Sequence, residues 1–243
     1  MKLIKLDAID STNDFLKALA INQDLENFTV VTAQSQTKGR GQMGTIWTTE
    51  KGKNLIMSLF VKDFLPTIAQ VFDLNILISV SIIQALESLN IPKLNIKWPN
   101  DILSGSYKIG GILIENSIKH TGSIYSIVGL GLNVNQIQFE NLPKASSIAV
   151  VCNQEFDKEM ILEQIIEKIK INIQSFNKNK DSLQDLYTNL LFKKNIPTAF
   201  KNLNTHQNFM GVIQGVTPNG KLRLLLENDT IETFEIKEIQ MLY

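Results

Sequence analysis

The sequence predicts an α+β protein built of two parts. Residues 1–195 alternate β-rich and helical segments, which is typical of a mixed sheet with packed helices. Residues 196–243 contain short β-rich runs separated by the turns "PNG" and "ND", which predicts a small β domain. The chain has 243 residues, 44% of them hydrophobic, and is therefore long enough for this division and for a sizeable core.

The first predicted helix begins near Ser11, because Ser11 and Asp14 have a spacing close to that of a capping box. Strands are predicted from β-branched content at residues 28–33, 54–61, 94–98, 110–116 and 123–134. The last two strands could pair through the turn "KHTG". Apolar spacing predicts three further helices, at residues 67–89, 157–177 and 182–192.

Composition indicates a soluble cytoplasmic protein. Lys plus Arg and Asp plus Glu both number 24, so no net charge attracts DNA or an anionic membrane. The single cysteine, Cys152, forms no intramolecular disulfide, and its apolar context favours a small buried side chain over a nucleophile. The start of the chain has no apolar signal-peptide core, and residues 76–83 are too few to span a membrane.

A glycine-rich stretch, "KGRGQMGTIW" at residues 38–47, has the G-x-G-x-x-G spacing of dinucleotide-binding folds and of protein kinases. The dinucleotide-binding interpretation needs a helix at the last glycine, and "TIWTTEKGKNL" is a poor helix start. The kinase interpretation needs H-R-D and D-F-G, and neither string occurs. The stretch is therefore either a mobile surface turn or a loop of another kind that wraps a ligand.

Two side chains of this stretch favour ligand binding. Arg40 carries a fork of donors that suits phosphate or carboxylate. Trp47 could cover a ring of the ligand, although a core aromatic is an equal alternative. Such a loop can close over a reactive ligand and exclude water.

A second group of polar residues follows a predicted strand. In "KWPNDIL", residues 97–103, Pro99 forces an extended or turning chain, so that Asn100 and Asp101 project at a strand end. Lys108 follows seven residues after Asp101 and could face the same region. A lone lysine is more often solvated, but a Lys, an Arg and an Asp that converge suit adenylation. The cations would stabilise charge developing on phosphate, and the carboxylate could hold Mg²⁺ or steer an attacking amine.

A third glycine-marked segment, "VGLGLNVN", spans residues 128–135. Gly129 and Gly131 point to the same face by the period of two in a strand. That face leaves room either for a flat or bulky ligand or for tight packing against a helix.

These motifs, in this order and at these separations, resemble those of biotin protein ligases. The strings are Ser11-Thr12-Asn13, "QTKGRGQMG", "KWPND", "KIGGILIE" and "GLGLNVN". The resemblance covers essentially the whole chain. It implies a catalytic domain related to class II aminoacyl-tRNA synthetases, residues 1–195, and a small SH3-like β-barrel, residues 196–243.

The resemblance also implies ligands and site residues. Biotin would be the substrate, with ATP and Mg²⁺, and the acceptor would be a lysine of the biotin carboxyl carrier protein of acetyl-CoA carboxylase or of related biotin enzymes. Residues implied in biotin binding are Ser11, Thr12, Asn13, Gln36, Arg40, Gly41, Gln42, Lys108, Gly111, Gly129 and Gly131. Residues implied in ATP or adenylate binding are Arg40, Gln42, Trp47, Lys97 and Asn133. Residues implied in catalysis are Arg40, Lys108 and Asp101, with Asp101 also the candidate Mg²⁺ ligand.

The sequence departs from the family pattern at Gln42, where an arginine is frequent, and at "QMLY", where a basic residue is usual. Fewer cations predict weaker retention of the nucleotide. Ser11 lies too near the start for an N-terminal DNA-binding module, so we expect no DNA binding. A homodimer is possible from the sequence. The alternatives are a lipoate or octanoate ligase or transferase of the same fold and a non-catalytic biotin-sensing protein.

Overall fold

The computed structural model describes residues 2–119 and 122–243. Its helices are α1 (Thr12–Asn22), α2 (Val71–Ser88), α3 (Ile148–Cys152) and α4 (Lys158–Asn189). The strands of the first sheet are β1 (Leu3–Ile9), β2 (Val30–Gln36), β3 (Leu55–Lys62), β4 (Leu94–Lys97), β5 (Asp101–Ser104), β6 (Tyr107–Ile118) and β7 (Ile124–Leu132). Those of the second sheet are β8 (Pro197–Asn202), β9 (Asn208–Val216), β10 (Leu222–Leu226), β11 (Ile231–Phe234) and β12 (Ile239–Leu242).

The first sheet is mixed, with the order β1-β2-β3-β7-β6-β5-β4. β1 runs parallel to β2, and the other neighbouring strands are antiparallel. Successive side chains of a strand point to opposite faces, so Leu59 faces the core under α2 and α4 while Phe60 faces α1. The predicted pairing of β6 with β7 is confirmed, but His120 and Thr121 of the predicted "KHTG" turn lie outside the described residues.

The predicted start of α1 is confirmed. Ser11 is the N-cap residue, and its hydroxyl accepts a hydrogen bond of 3.3 Å from the Asp14 amide. The cap brings Thr12 and Asn13, both buried, into the first turn of the helix. The N-terminus of α1 therefore presents three consecutive polar side chains to the sheet.

Helix α2 forms the centre of the core. With the turn before it, the stretch Ile68–Ser88 is long and apolar enough to cross a membrane by length and composition, yet two thirds of its most apolar window is buried inside the protein. This degree of burial is typical of a core helix and agrees with the prediction of a soluble protein. Its location in the cytoplasm stays a prediction.

The prediction of two helices between residues 157 and 192 is wrong, because α4 is a single helix of 32 residues. Its polar middle has only modest intrinsic helix propensities, and packing at both ends overrides them. Ile165 in the first half and Tyr187 in the second are fully buried on the same core. The middle is also tied to α2, because Lys180 forms an ion pair of 2.7 Å with the buried Asp73.

Cys152 lies at the end of the short helix α3, which was not predicted from the sequence. The thiol is half-buried and packs against the core, and burial raises its pKa above the usual value. A raised pKa keeps the sulfur as the unreactive thiol. The structure therefore supports the interpretation of Cys152 as a packing residue.

The second sheet has the order β11-β10-β9-β8-β12, and its paired strands are antiparallel. It contacts the first sheet at the indole of Trp98, whose Nε1 donates to the Gly220 carbonyl at 2.8 Å. Gly220 has a φ of +86°, and a Cβ there would overlap the Phe72 ring of α2. The predicted α+β class is confirmed: a mixed sheet with helices is followed by a second sheet that has no helix within it. The domain boundary at residue 195 stays a prediction.

Candidate active site

One cavity of about 600 Å³ lies between the glycine loop, defined as residues 39–47, the first sheet and the second sheet. All but one of the predicted site residues line this cavity. They are Ser11, Thr12, Asn13, Gln36, Arg40, Gly41, Gln42, Trp47, Lys97, Asp101, Lys108, Gly111, Gly129 and Gly131. The fold thus brings together motifs that are separated by up to 120 residues along the chain. The second sheet contributes further wall residues, among them Lys237 and Met241.

Asn133 is the exception. It is buried one residue after β7, and its side-chain amide donates to the Ser146 carbonyl at 3.0 Å. Its backbone is fixed as well, since its N–H donates to the Ile109 carbonyl and its carbonyl accepts from Ile148. The structure therefore gives Asn133 a bracing role behind the cavity, and its predicted contact with adenine stays a prediction.

The glycines of β6 and β7 make room for protein side chains. Gly111 and Gly131 are directly opposite each other across the two strands, and the indole of Trp47 lies over both. A Cβ at Gly131 would overlap this indole, and one at Gly129 would overlap the Asn13 carboxamide. The space that we predicted for a flat ligand is thus bordered by Trp47, whose buried Nε1 has no hydrogen-bond partner among the described residues.

A hydrogen-bonded cluster surrounds the start of α1. Gln36 Oε1 accepts from the Thr12 amide at 2.8 Å and from the Thr12 hydroxyl at 3.0 Å. The buried Ser58 hydroxyl lies 2.8 Å from Thr12 Oγ1 and donates to Asn13 Oδ1 at 2.6 Å. Asn13 Nδ2 in turn donates to Glu115 at 2.8 Å. This cluster presents hydroxyl and amide groups to the cavity in fixed positions.

Arg40 is held by two carboxylates. Its Nη2 lies 2.5 Å from Asp14 Oδ1 and 3.1 Å from Glu115 Oε2. The guanidinium is about two fifths exposed, so water screens both pairs and each contributes little to stability. A ligand that binds Arg40 through a carboxylate or phosphate must therefore compete with Asp14 and Glu115.

The motif "KWPND" forms the tight turn between β4 and β5, rather than a free strand end, because Asp101 begins β5 opposite Lys97. Asp101 lies 2.6 Å from Lys108 Nζ and 3.5 Å from Lys97 Nζ. The predicted approach of Lys108 to Asp101 is thus confirmed. One carboxylate sets the positions of two ammonium groups on the cavity wall.

Polar side chains on two helices support this turn from behind. The Pro99 carbonyl accepts from Asn75 Nδ2 of α2 at 3.0 Å and from the Tyr187 hydroxyl of α4 at 3.4 Å. Burial raises the pKa of Tyr187 well above its usual value, so the hydroxyl stays protonated and remains a donor. The core helices thereby fix the backbone from which Asp101 projects.

The cavity has an excess of positive charge. Its wall contains Arg40, Lys97, Lys108 and Lys237 but, among the described residues, Asp101 is the one carboxylate. Lys237 forms no ion pair within the part of the chain that the structure describes. The cavity therefore suits a ligand with several negative charges, such as a nucleoside triphosphate.

Comparison with known proteins identifies the family. The model of the biotin/lipoate A/B protein ligase family matches residues 6–133, which is more than half of the chain. The chain belongs to this family. The matched range ends at Asn133 and includes the glycine loop, the turn between β4 and β5 and the paired glycines of β6 and β7.

Curated relatives of this family member include the bifunctional ligase/repressor BirA of Bacillus spizizenii. It is 33% identical over 169 residues, which cover 68% of this chain and 51% of that protein. The biotin–[acetyl-CoA-carboxylase] ligase of Mycobacterium tuberculosis is 27% identical, over 67% of this chain and 60% of the relative. The chain thus spans about half the length of the Bacillus relative.

Solved structures share the fold of this family member along its whole length. The biotin protein ligase from Aquifex aeolicus in complex with biotin and ATP superimposes with a TM-score of 0.80 at 22% identity. The match covers 99% of this chain and 98% of that chain, so it includes both sheets.

Several residues in or near the cavity were not predicted from the sequence. Ser58 joins Thr12 to Asn13, and its position inside an apolar strand gave no signal of a polar role. Glu115 stands within "KIGGILIEN" and Asp14 next to Asn13, but neither was expected to pair with Arg40. Asn75 and Lys237 are far from every motif, and only the fold reveals their contacts.

A substitution at Gly131 should displace Trp47. Gly131→Ala places a methyl group inside the space of the indole, whereas Gly111→Ala places one at an ordinary contact distance of 3.4 Å from the same ring. We expect Gly131→Ala to shift the Trp47 emission to longer wavelength, with little shift for Gly111→Ala. The measurement is the fluorescence of both variants in a Trp98→Phe background, because Trp47 and Trp98 are the two tryptophans. Identical spectra for the two variants would contradict the observed packing.

Proposed function

We propose that the protein attaches biotin to a lysine of a biotin carboxyl carrier protein domain at the expense of ATP, through biotinyl-5'-AMP. The observation that carries this proposal is one cavity lined by two kinds of group. These are the hydroxyl and amide groups of Thr12, Asn13 and Gln36 and the four cations Arg40, Lys97, Lys108 and Lys237. A ligand that joins a small polar ring to a phosphate matches both.

The polar cluster favours biotin over lipoate, which is the other substrate in the family's name. The ureido group of biotin carries two N–H donors and a carbonyl acceptor, which can pair with hydroxyl and amide groups. The dithiolane ring of lipoate carries no such groups. It could not exchange hydrogen bonds with Thr12, Asn13 and Gln36, so it would gain less free energy on binding than biotin. Relatives named as biotin ligases agree with this choice.

In the first step, a carboxylate oxygen of biotin attacks the α-phosphorus of ATP. The new bond is a mixed anhydride, and the bond to the β-phosphate breaks to release pyrophosphate. Two anions must approach each other, and Lys108 and Arg40 offset their repulsion while they stabilise the charge on the phosphoryl oxygens. Asp101 holds Lys108 and Glu115 holds Arg40 at the cavity, and Arg40 exchanges part of its pairing with Asp14 and Glu115 for the ligand.

Mg²⁺ would enter with the nucleotide rather than as a resident ion. Mg²⁺ is commonly held by one or two carboxylates together with substrate phosphates. Asp101 provides one carboxylate on the cavity wall, whereas no group of three His, Cys, Asp or Glu suited to a metal occurs among the described residues. When bound, Mg²⁺ would neutralise part of the triphosphate charge, with Asp101 as its protein ligand.

In the second step, the uncharged amine of a carrier lysine attacks the acyl carbon of biotinyl-5'-AMP. The carbon–nitrogen bond forms, the bond to the phosphate oxygen breaks, and AMP leaves while the amine loses a proton. No covalent enzyme intermediate is required. The Trp47 side of the cavity, closed by the glycine loop, would limit access of water to the anhydride until the carrier arrives.

The test is incubation of the protein with ATP, Mg²⁺, biotin and a biotin carboxyl carrier domain. We expect the mass of the carrier to rise by one biotinyl group at a single lysine, and pyrophosphate to be released before AMP. Parallel reactions contain lipoate or octanoate in place of biotin. Transfer of lipoate but not biotin, or biotin binding without any transfer, would contradict the proposal.

A further inference from the structure

The glycine loop is closed on itself but has few contacts at its tip. The Gly41 amide donates to the Thr45 carbonyl at 2.7 Å, and the Trp47 amide donates to the Gly39 carbonyl at 2.9 Å. Met43 lies at the tip, with a φ of +56° and a side chain that is largely exposed. The tip is therefore not held by apolar packing.

One long-range hydrogen bond reaches this tip. The ammonium of Lys237, in the connection between β11 and β12, donates to the Met43 carbonyl at 2.7 Å across 194 residues of sequence. Lys237 forms no ion pair among the described residues, so no carboxylate there draws it away from the loop. The Met43 carbonyl is thus the partner that the structure gives to this cation.

The segment that carries Lys237 is itself firmly placed. The Glu235 amide donates to Glu238 Oε2 at 2.6 Å, and the Glu238 amide donates to the Glu235 carbonyl at 3.1 Å. The Leu203 amide donates to the Glu238 carbonyl at 2.8 Å, and the next residue, Ile239, is buried. The base of the lysine side chain is therefore fixed to the second sheet.

We propose that Lys237 is a positioning residue that ties the tip of the glycine loop to the second sheet. The closed arrangement of residues 39–47 then depends on that sheet as well as on contacts within the loop. The second sheet thereby acts on Arg40 and Trp47 through the loop on which both lie. The importance of these two residues rests on the proposed function, whereas the tie itself does not.

The test is amide hydrogen exchange of the ligand-free protein, read at Gly41, Thr45 and Trp47, whose amides are bonded within the loop. Lys237→Met removes the donor and keeps an apolar stem. We expect these amides to exchange about three- to tenfold faster, as for the loss of one hydrogen bond that opposes opening. Lys237→Arg keeps a cationic donor and should restore most of the protection.

The matched control is Lys221→Met. Lys221 lies in the turn before β10, is partly exposed and pairs with Glu235 at 2.9 Å without lining the cavity. It should leave loop exchange unchanged. The proposal is overturned if Lys237→Met does not speed loop exchange, if Lys221→Met speeds it equally, or if the amides of β9 and β10 lose protection as well. Because no ligand is present, the outcome is independent of whether biotin is the substrate.

Discussion

Lys108→Ala is expected to lower the rate of biotinyl-adenylate formation about 10²- to 10³-fold, which corresponds to roughly 3–4 kcal/mol of transition-state stabilisation. Lys108 Nζ lies 2.6 Å from Asp101 and on the wall of the cavity, where it is about one third exposed. In that position it can lie between the carboxylate of biotin and the α-phosphate. Its charge matters most when negative charge builds up on the phosphoryl oxygens, so the rate should fall much more than the affinity for biotin.

The measurement combines pyrophosphate release with calorimetric titration of biotin. Lys51→Ala is the matched control, because Lys51 also pairs with an aspartate, Asp7 at 2.8 Å, but lies outside the cavity. Lys108→Arg should recover activity only in part, since a guanidinium is wider than an ammonium group. Pyrophosphate release at the wild-type rate in Lys108→Ala would refute the assignment and leave Arg40 as the catalytic cation.

Trp98→Ala should have the largest effect on stability, a loss of about 3–5 kcal/mol in the free energy of unfolding. The indole is 9% exposed, belongs to the main core cluster and donates to the Gly220 carbonyl. Its removal leaves a cavity at the contact between the two sheets and an acceptor without its partner. The free energy of unfolding of small proteins is about 5–15 kcal/mol, so this loss is a large share of it.

Urea denaturation followed by circular dichroism measures this loss without depending on tryptophan emission. Trp98→Phe keeps most of the packing and should cost less, mainly the hydrogen bond. Trp47→Ala removes the same side chain from a half-buried position on the glycine loop and should cost less than Trp98→Ala. Equal losses for Trp98→Ala and Trp47→Ala would show that the contact between the sheets contributes little.

Much of the fold could be predicted from the sequence where one pattern decided the element. The Ser11 cap, the strands rich in β-branched residues and the apolar run of α2 are local signals, and each is confirmed. The continuity of α4 is not a local property. It depends on burial of Tyr187 and on the pair between Lys180 and Asp73, and neither can be inferred from the polar residues in the middle of the helix.

The candidate site was likewise predictable where the signal in the sequence was local. The motifs identified the residues that line the cavity, because each motif combines glycines with polar or charged groups in a short stretch. What the motifs could not give is the pairing of those groups with one another. Arg40 is paired with Asp14, and Asn13 is fixed by Ser58; both contacts arise only when α1, β3 and the loop are folded together.

The junction at Gly220 has a consequence for hybrid proteins made by exchanging the second sheet among members of the family. The turn that carries Asp101 and the incoming sheet would share one hydrogen bond, from Trp98 to the carbonyl of residue 220. Any side chain at that position would collide with Phe72, and the positive φ disfavours one as well. A transplanted sheet should therefore be tolerated only if it supplies a glycine at this turn, whatever the similarity of the rest of its sequence.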